Sequence, residues 1–399
     1  MNDLSQIADR LRRTVRRERL RDTAVRLVNI PSWTGQAGAA ADDLAALLSG
    51  EGFAVERPVC GHAAAPAVVV RLSSDQPGRT LQLDGHVDTV HLPFVAAAVD
   101  GDRLRGSGAF DMKSGVAAAV EALRALRETG VLPAGHVLFT AHDLHEAPWG
   151  LGQQLDHMIG QGIAGDAAIV CEPFTTHVPV VGRGSATWKA TFRRPGPPAH
   201  EVVRPPDEPS VIAAGASAVA RLEELAGQLS VECDPVAGSP SVFIGQIHSG
   251  EIYNQYPQEC WLEGTRRWLP GTDRARVERD LRALFDDIAR RSRTSVSIDY
   301  RNIRDSFRLD TTDPIFSAFQ AAHAAVHGTR LGTGPKPFVD DGNSFYGLKR
   351  IPAITHGGHG GGAHTLDEWV SIDSLVAAAL TYALTAVAYC GALDVATHP

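Results

Sequence analysis

The sequence predicts an α/β catalytic domain layered around a mostly parallel sheet, with a ferredoxin-like α+β domain inserted into it. Three observations carry this. Helical and strand-like patterns alternate over residues 1–180, as they do when helices cover a parallel sheet. After Gly182 the order becomes strand, helix, strand, strand, helix, strand, which is that of a split βαβ unit. Beyond residue 302 the alternating character returns, so the middle segment interrupts the first domain. The expected parts are 1–183 and 303–399 for the catalytic domain and 184–302 for the insert. A chain of 399 residues also exceeds one ordinary core.

Each element has its own local signal. Apolar residues at helical spacing predict a helix over 4–28, and another over 39–48 that Gly50 and Gly52 stop. Short apolar runs predict strands at 67–72, 80–83, 137–141 and 167–171, with a helix over 116–127 dividing them. In the insert, strands are expected at 185–192, 241–247, 259–268 and 295–300, and helices at 209–229 and 273–291. The last part carries a helix at 314–327, a strand at 353–355 and a terminal helix over 375–393. That last stretch is uncharged and long enough to span a bilayer. It is rich in alanine and contains Thr381, Thr385 and Tyr389, so a buried helix against a sheet is expected.

Composition excludes several classes. A formal charge of −8 gives no reason to expect nucleic acid or an anionic membrane as partner. The arginines of residues 10–21 are interleaved with acids, while Leu11, Val15, Leu20 and Val25 fall at helical spacing. A solvated amphipathic helix is therefore expected there rather than a transit peptide. Cys60, Cys171, Cys233, Cys260 and Cys390 are scattered and form no CxxC pair. With no signal peptide apparent, they suggest free thiols in a reducing cytoplasm.

Histidines and carboxylates gather at the ends of the predicted strands, where open α/β sheets place their sites. LQLDGHVDT puts His86 and Asp88 two apart on one strand face, so Asp88 can hold the second nitrogen of His86. GSGAFDMKSG brings Asp111 to a helix start. VLFTAHDLHEAPWG ends a strand with His142, Asp143, His145 and Glu146. DAAIVCEP ends another with Glu172, and THGGHGGGAHTLDEW places His364 after a glycine-rich loop. Taken singly, each could be a cap or a surface histidine. Five such endings in one domain suit divalent cations that accept imidazole and carboxylate ligands.

These blocks resemble the signatures of the aminoacylase-like metallopeptidases, which include acetylornithine deacetylase, succinyl-diaminopimelate desuccinylase and glutamate carboxypeptidase. The resemblance runs from NIPSWTG to Ile372, in the family's order and with similar spacing. It implies a bridged pair of divalent ions, zinc by expectation, with cobalt or manganese as alternatives. His86 and Glu172 would hold one ion, Glu146 and His364 the other, and Asp111 would bridge them. Three carboxylates would then nearly neutralise two dications. The resemblance also implies a cis peptide after Asp111, and an inserted domain that serves as lid and homodimer contact. His200 would reach the neighbouring subunit's site and steady an oxyanion. Asn254 and Arg267 match positions that bind a substrate carboxylate.

The pattern breaks at one place. The family carries two adjacent glutamates, the first a general base, where this chain has His145–Glu146. His145 could itself be the base, Asp143 could supply it, or the activity could be redirected or lost. Trp149 also stands where small residues are usual. The expected function is a cytoplasmic, metal-dependent amidohydrolase acting on a small N-acyl amino acid or dipeptide-like substrate. The alternatives are a metalloenzyme acting on another C–N bond, such as a deaminase, and a silent metal-binding paralogue.

Overall fold

The computed structural model describes residues 4–391 and divides into two compact units. Unit 1 is made of residues up to Val180, Arg308–Gly334 and the chain from Asp340 onward. Unit 2 is made of Val181–Phe307 and Pro335–Val339.

Unit 1 is built on six strands: Val55–Glu56 (β1), Val68–Ser73 (β2), Thr80–His86 (β3), His136–His142 (β4), Ala167–Val170 (β5) and Ala353–Thr355 (β6). Their order across the sheet is β1-β2-β4-β3-β5-β6. β4, β3, β5 and β6 run parallel to one another, whereas β2 is antiparallel to both β1 and β4. The sheet is therefore mixed, with its parallel part on the side where the chemistry-bearing motifs lie. Its central strands are buried along almost their whole length, as strands covered on both faces are, and they carry buried polar residues such as Gln82 and Asp84 among the apolar ones.

The covering helices are Leu4–Thr14 (α1), Arg17–Val28 (α2), Gly38–Gly50 (α3), Lys113–Thr129 (α4), Gln153–Gly160 (α5), Pro314–His327 (α6), Asp341–Lys349 (α7) and Ile372–Cys390 (α8). α4 packs against α2, α8 and β3, and almost all of its residues are buried. α8 is long and apolar enough to cross a membrane, but most of it is buried within this unit, as expected of a core helix. Residues 392 and 393, also expected to be helical, lie outside the described residues.

The helix expected over 4–28 is broken in two. Arg16 adopts an extended conformation, and its N–H donates to Glu121 Oε1 at 2.8 Å. Glu121 is fully buried on α4 and takes the Arg19 guanidinium as well. A buried carboxylate needs donors, and here that need outweighs one turn of helix.

Unit 2 follows the strand–helix–strand–strand–helix–strand order. Its strands are Gly184–Arg193, Ser241–Ser249, Glu259–Trp268 and Ser295–Arg304; its helices are Val211–Leu229 and Arg274–Ser292. The second and third strands pair, the third pairs with the first, and the first with the fourth, all antiparallel. Trp188, Phe192 and Leu262 from the sheet meet Ala214, Ala218 and Leu222 from one helix and Leu281 and Phe285 from the other. The first helix approaches closely because residue 215 is glycine: a Cβ there would lie 2.5 Å from Cys260 Sγ.

Candidate metal centre

The parallel register brings three strand ends to one edge. Asp84 pairs with Thr140 and with Val170, and His86 pairs with His142. The segments that leave β3, β4 and β5 therefore start side by side, and each delivers a ligand type. Gly115, in the first turn of α4, lets that helix approach the end of β5, since a Cβ there would meet the Cys171 carbonyl oxygen at 2.0 Å.

Asp111 lies at the middle of the group. Its Oδ1 is 3.2 Å from His86 Nε2, and its Oδ2 is 3.3 Å from His364 Nε2. Glu172 Oε1 lies 3.6 Å from His86 Nε2, and Glu146 Oε2 lies 3.1 Å from His364 Nε2. The five residues thus form two histidine–carboxylate halves that share one carboxylate. The Asp111–Met112 peptide is cis. His364 sits at φ 61° at the end of its glycine-rich loop.

Electrostatics show what the group requires. Burial, then the negative charge of Asp111, raises the Glu172 carboxyl to about 7. Asp111 is buried too, but His364 and His86 outweigh that and hold it far below the usual carboxylate range. Hydrogen bonds to Asp111 and Glu146 raise His364 to about 10. Burial pushes His86 down, yet Asp111, Asp88 and Glu172 together lift it well above its ordinary value. Without a cation, protons on two histidines supply the positive charge the carboxylates need. The donor set fits divalent cations, and His86, Asp111 and Glu146, or His86, His145 and Glu172, can converge on one ion.

Asp88 does more than accompany His86. His86 Nδ1 is 3.0 Å from the Asp88 carbonyl oxygen, while the Asp88 carboxylate accepts the N–H groups of His145 and Glu146, each at 3.1 Å. It therefore fixes the backbone that carries those two side chains. His145 stacks on His86, with ring centroids 3.9 Å apart and planes 9° from parallel. Its Nε2 faces Glu172 Oε1 at 3.5 Å.

Asp143 lies elsewhere. Its oxygens accept N–H groups from Gly35, Ala37 and Leu144 and meet His62 Nε2 at 3.0 Å, so the carboxylate secures the 35–37 loop and does not face the ligand group. Trp149 is partly exposed and stacks on His91 at 4.3 Å. In unit 2, Asn254 Nδ2 is 3.0 Å from His200 Nε2, and the Val202 N–H donates to His200 Nδ1. Arg267 is half-buried there. Burial, then the charge of Arg183, lowers its pKa.

Several residues that motif reading passed over also serve this edge. Glu368 accepts N–H groups from Gly108, Phe110 and Asp111 and so shapes the Asp111 loop; burial raises it to about 7. Lys113 is buried and donates to the Ile30 carbonyl oxygen at 2.7 Å, with burial lowering it to about 7. Asp341, the first residue of α7, lies 2.9 Å from His145 Nδ1. Glu368 falls within the quoted DEW segment and could have been singled out. The Asp340–Asp341 pair looks like a helix cap in sequence, and Asp340 does form a capping box with Asn343.

Strand-end histidines and carboxylates of this composition define a centre for one or two divalent cations on an α/β scaffold. The profile of peptidase family M20/M25/M40 matches residues 82–388, and the chain belongs to that family. A succinyl-diaminopimelate desuccinylase from Methylobacterium sp. (strain 4-46) is 38% identical over 135 residues, covering 31% of this chain and 33% of the relative. Another from Methylobacterium radiotolerans is 34% identical over 193 residues, covering 43% and 48%. The matched region thus spans a third to a half of these curated relatives. A Staphylococcus aureus tripeptidase shares the fold, with a TM-score of 0.79 at 21% identity over 94% of this chain and 98% of that one.

Proposed function

We propose that this chain is a two-zinc hydrolase that cleaves the amide bond of a small N-acyl amino acid or dipeptide-like substrate. The observation that carries the reading is Asp111, whose two oxygens face two different histidines at 3.2 and 3.3 Å. His86, Glu172 and Asp111 would hold one ion, and His364, Glu146 and Asp111 the other. When bound, such a pair polarises a carbonyl oxygen and lowers the pKa of a shared water.

The chain's own groups supply the rest. Asp88 sets the His145–Glu146 backbone, and His145 presents Nε2 at the Glu172 side of the group, where it takes and returns the proton. Asp143 is disfavoured as base because its oxygens already accept three N–H groups. The second unit is the proposed lid and homodimer contact. There His200, hydrogen-bonded to Asn254, would steady an oxyanion of the neighbouring subunit, while Asn254 would help to bind a substrate carboxylate. Arg267, with no acidic partner among the described residues, would take a substrate carboxylate. Five unpaired cysteines accord with a reducing cytoplasm.

The names of the curated relatives make N-succinyl amino acids the first substrates to try, followed by other N-acyl amino acids and dipeptides. Zinc-loaded protein should release free amine from one of these sets. Release of ammonia from a non-acylated substrate, with no amide cleaved, would favour the second reading. That reading is a deaminase-like reaction at another C–N bond, motivated by an imidazole standing where the resemblance expects a carboxylate base.

A further inference from the structure

Behind His145 lies a sealed set of titratable groups that the reaction scheme does not use. Asp341 Oδ1 is 2.9 Å from His145 Nδ1, and its Oδ2 is 3.3 Å from His142 Nε2. His142 Nε2 is in turn 3.5 Å from Asp84 Oδ2. Asp84 Oδ1 accepts the Thr140 hydroxyl at 2.5 Å. Asp84, His142 and Asp341 are each at most 1% exposed. We propose that Asp341 is the positioning residue for His145, accepting a hydrogen bond from Nδ1–H so that the Nε2 lone pair is presented to the ligand group, with His142 and Asp84 held against Asp341 from behind. The proposal deepens the reading of His145 as proton acceptor and rests on it for its catalytic consequence.

Hydrogen-bond chemistry supplies the argument. An ionised carboxylate only accepts, so the imidazole nitrogen that faces it must carry the proton. In a neutral ring the other nitrogen is then bare and basic, and here that nitrogen is the one 3.5 Å from Glu172 Oε1. Stacking on His86 fixes the plane of the ring, and Asp341 fixes which way round it lies in that plane. Asp341 is itself anchored at a helix start, where Asp340 accepts the Gly342 N–H at 2.7 Å and Asn343 completes the capping box. This is the logic by which a buried aspartate orients a catalytic histidine.

Three donors that approach one another could also hold a cation. The outer oxygens are already taken, Oδ1 of Asp341 by His145 and Oδ1 of Asp84 by Thr140. Complete burial leaves no exposed side from which water could fill the remaining coordination positions. His142 Nε2 and Asp84 Oδ2 find no hydrogen-bond partner among the described residues, so the contacts at 3.3 and 3.5 Å are held by opposite charge. Burial opposes a protonated His142 between the two carboxylates, and Asp341 and Asp84 favour it.

The test uses full-length, zinc-loaded protein with 15N-labelled histidine rings, read by long-range 1H–15N correlation. His145 is assigned from the signals lost in His145→Gln. The wild type should show a neutral His145 ring protonated at Nδ1. Asp341→Ala should shift it to the Nε2-protonated form or a mixture, with zinc content unchanged. Asp341→Asn keeps an acceptor oxygen and the shape of the side chain, and should retain more of the Nδ1-protonated form. On the amide that the substrate screen selects, kcat should fall roughly a hundredfold or more in Asp341→Ala, with KM little changed and partial rescue in Asp341→Asn. A wild-type His145 protonated at Nε2, or a tautomer indifferent to Asp341→Ala, would overturn the proposal. So would a third zinc per chain that Asp341→Ala removes. An Asp341-dependent tautomer together with full turnover in His145→Ala would leave the positioning role standing and sink the base assignment alone.

Discussion

Two histidine–carboxylate clusters sit on the same sheet edge and differ in access. In one, His86, Asp111, Glu146, Glu172 and His364 converge, and the His364 side chain is 51% exposed. In the other, Asp84, His142 and Asp341 show no exposed side chain at all. The donor types are alike, and so are the separations between donors. The open cluster can exchange protons and cations with solvent, whereas the sealed one can only hold its own charges against each other. Residue type names the chemistry available; access and the remaining hydrogen-bond partners decide which part of it is used.

Substitution of the shared carboxylate should break this contrast most severely. Asp111→Ala removes the one residue common to both halves of the open cluster, so, if the proposed metal pair is right, occupancy of both positions should fall and hydrolysis should disappear. Elemental analysis showing a single ion, indifferent to the substitution, would contradict the bridged arrangement.

His145 touches both clusters and so separates them kinetically. His145→Ala should lower kcat by roughly a hundredfold or more while leaving metal content near normal. Near wild-type turnover in this variant would remove His145 from the reaction. Asp143→Asn should instead cost about 1–3 kcal/mol in urea unfolding, because one of its N–H donors would face an amide NH2 group, with turnover kept in the folded fraction. A collapse of kcat with unchanged stability would restore Asp143 as candidate base.

The second unit enters through assembly. If His200 serves a neighbouring subunit, mixtures of His200→Ala and Asp111→Ala chains should recover part of the activity that neither has alone. Verified mixed dimers that stay inactive would confine His200 to its own chain or to no role.

The gentlest probe is pH. In the metal-free protein His364 is raised from 6.5 to about 10 by Asp111 and Glu146. A raised pKa stabilises the fold fully below the unfolded value, and that contribution is lost as pH rises through the folded one. Metal-free protein should therefore lose some thermal stability between about pH 7 and 10, and zinc-loaded protein should lose less. Zinc uptake at pH 7 should release protons, from His364 and His86 and from the half-ionised Glu172, whose carboxyl is raised to about 7. Calorimetry in buffers of different ionisation enthalpy would read this directly, and uptake without proton release would contradict the charge balance described here.

The sequence by itself marked the candidate ligands and most elements, while the division of those candidates between two ions came only from the family resemblance. His86 closes a strand, and Glu146 and Glu172 stand shortly after the ends of two others, so both the strands and the places of these candidate ligands near their ends are local information. The strand–helix order of unit 2 was legible for the same reason. What the tertiary structure decided are the partners that buried groups find across the chain. His145 and Asp341 are 196 residues apart, and Asp111 and Glu368 are 257 apart. The buried Glu121, 105 residues from Arg16, breaks a helix that periodicity alone would continue. The antiparallel β1 and β2, which make the sheet mixed, are likewise a matter of pairing between distant segments. Periodicity is carried by neighbours in the chain. A buried carboxylate is satisfied by whichever donor the fold brings within reach, and no local pattern encodes that choice.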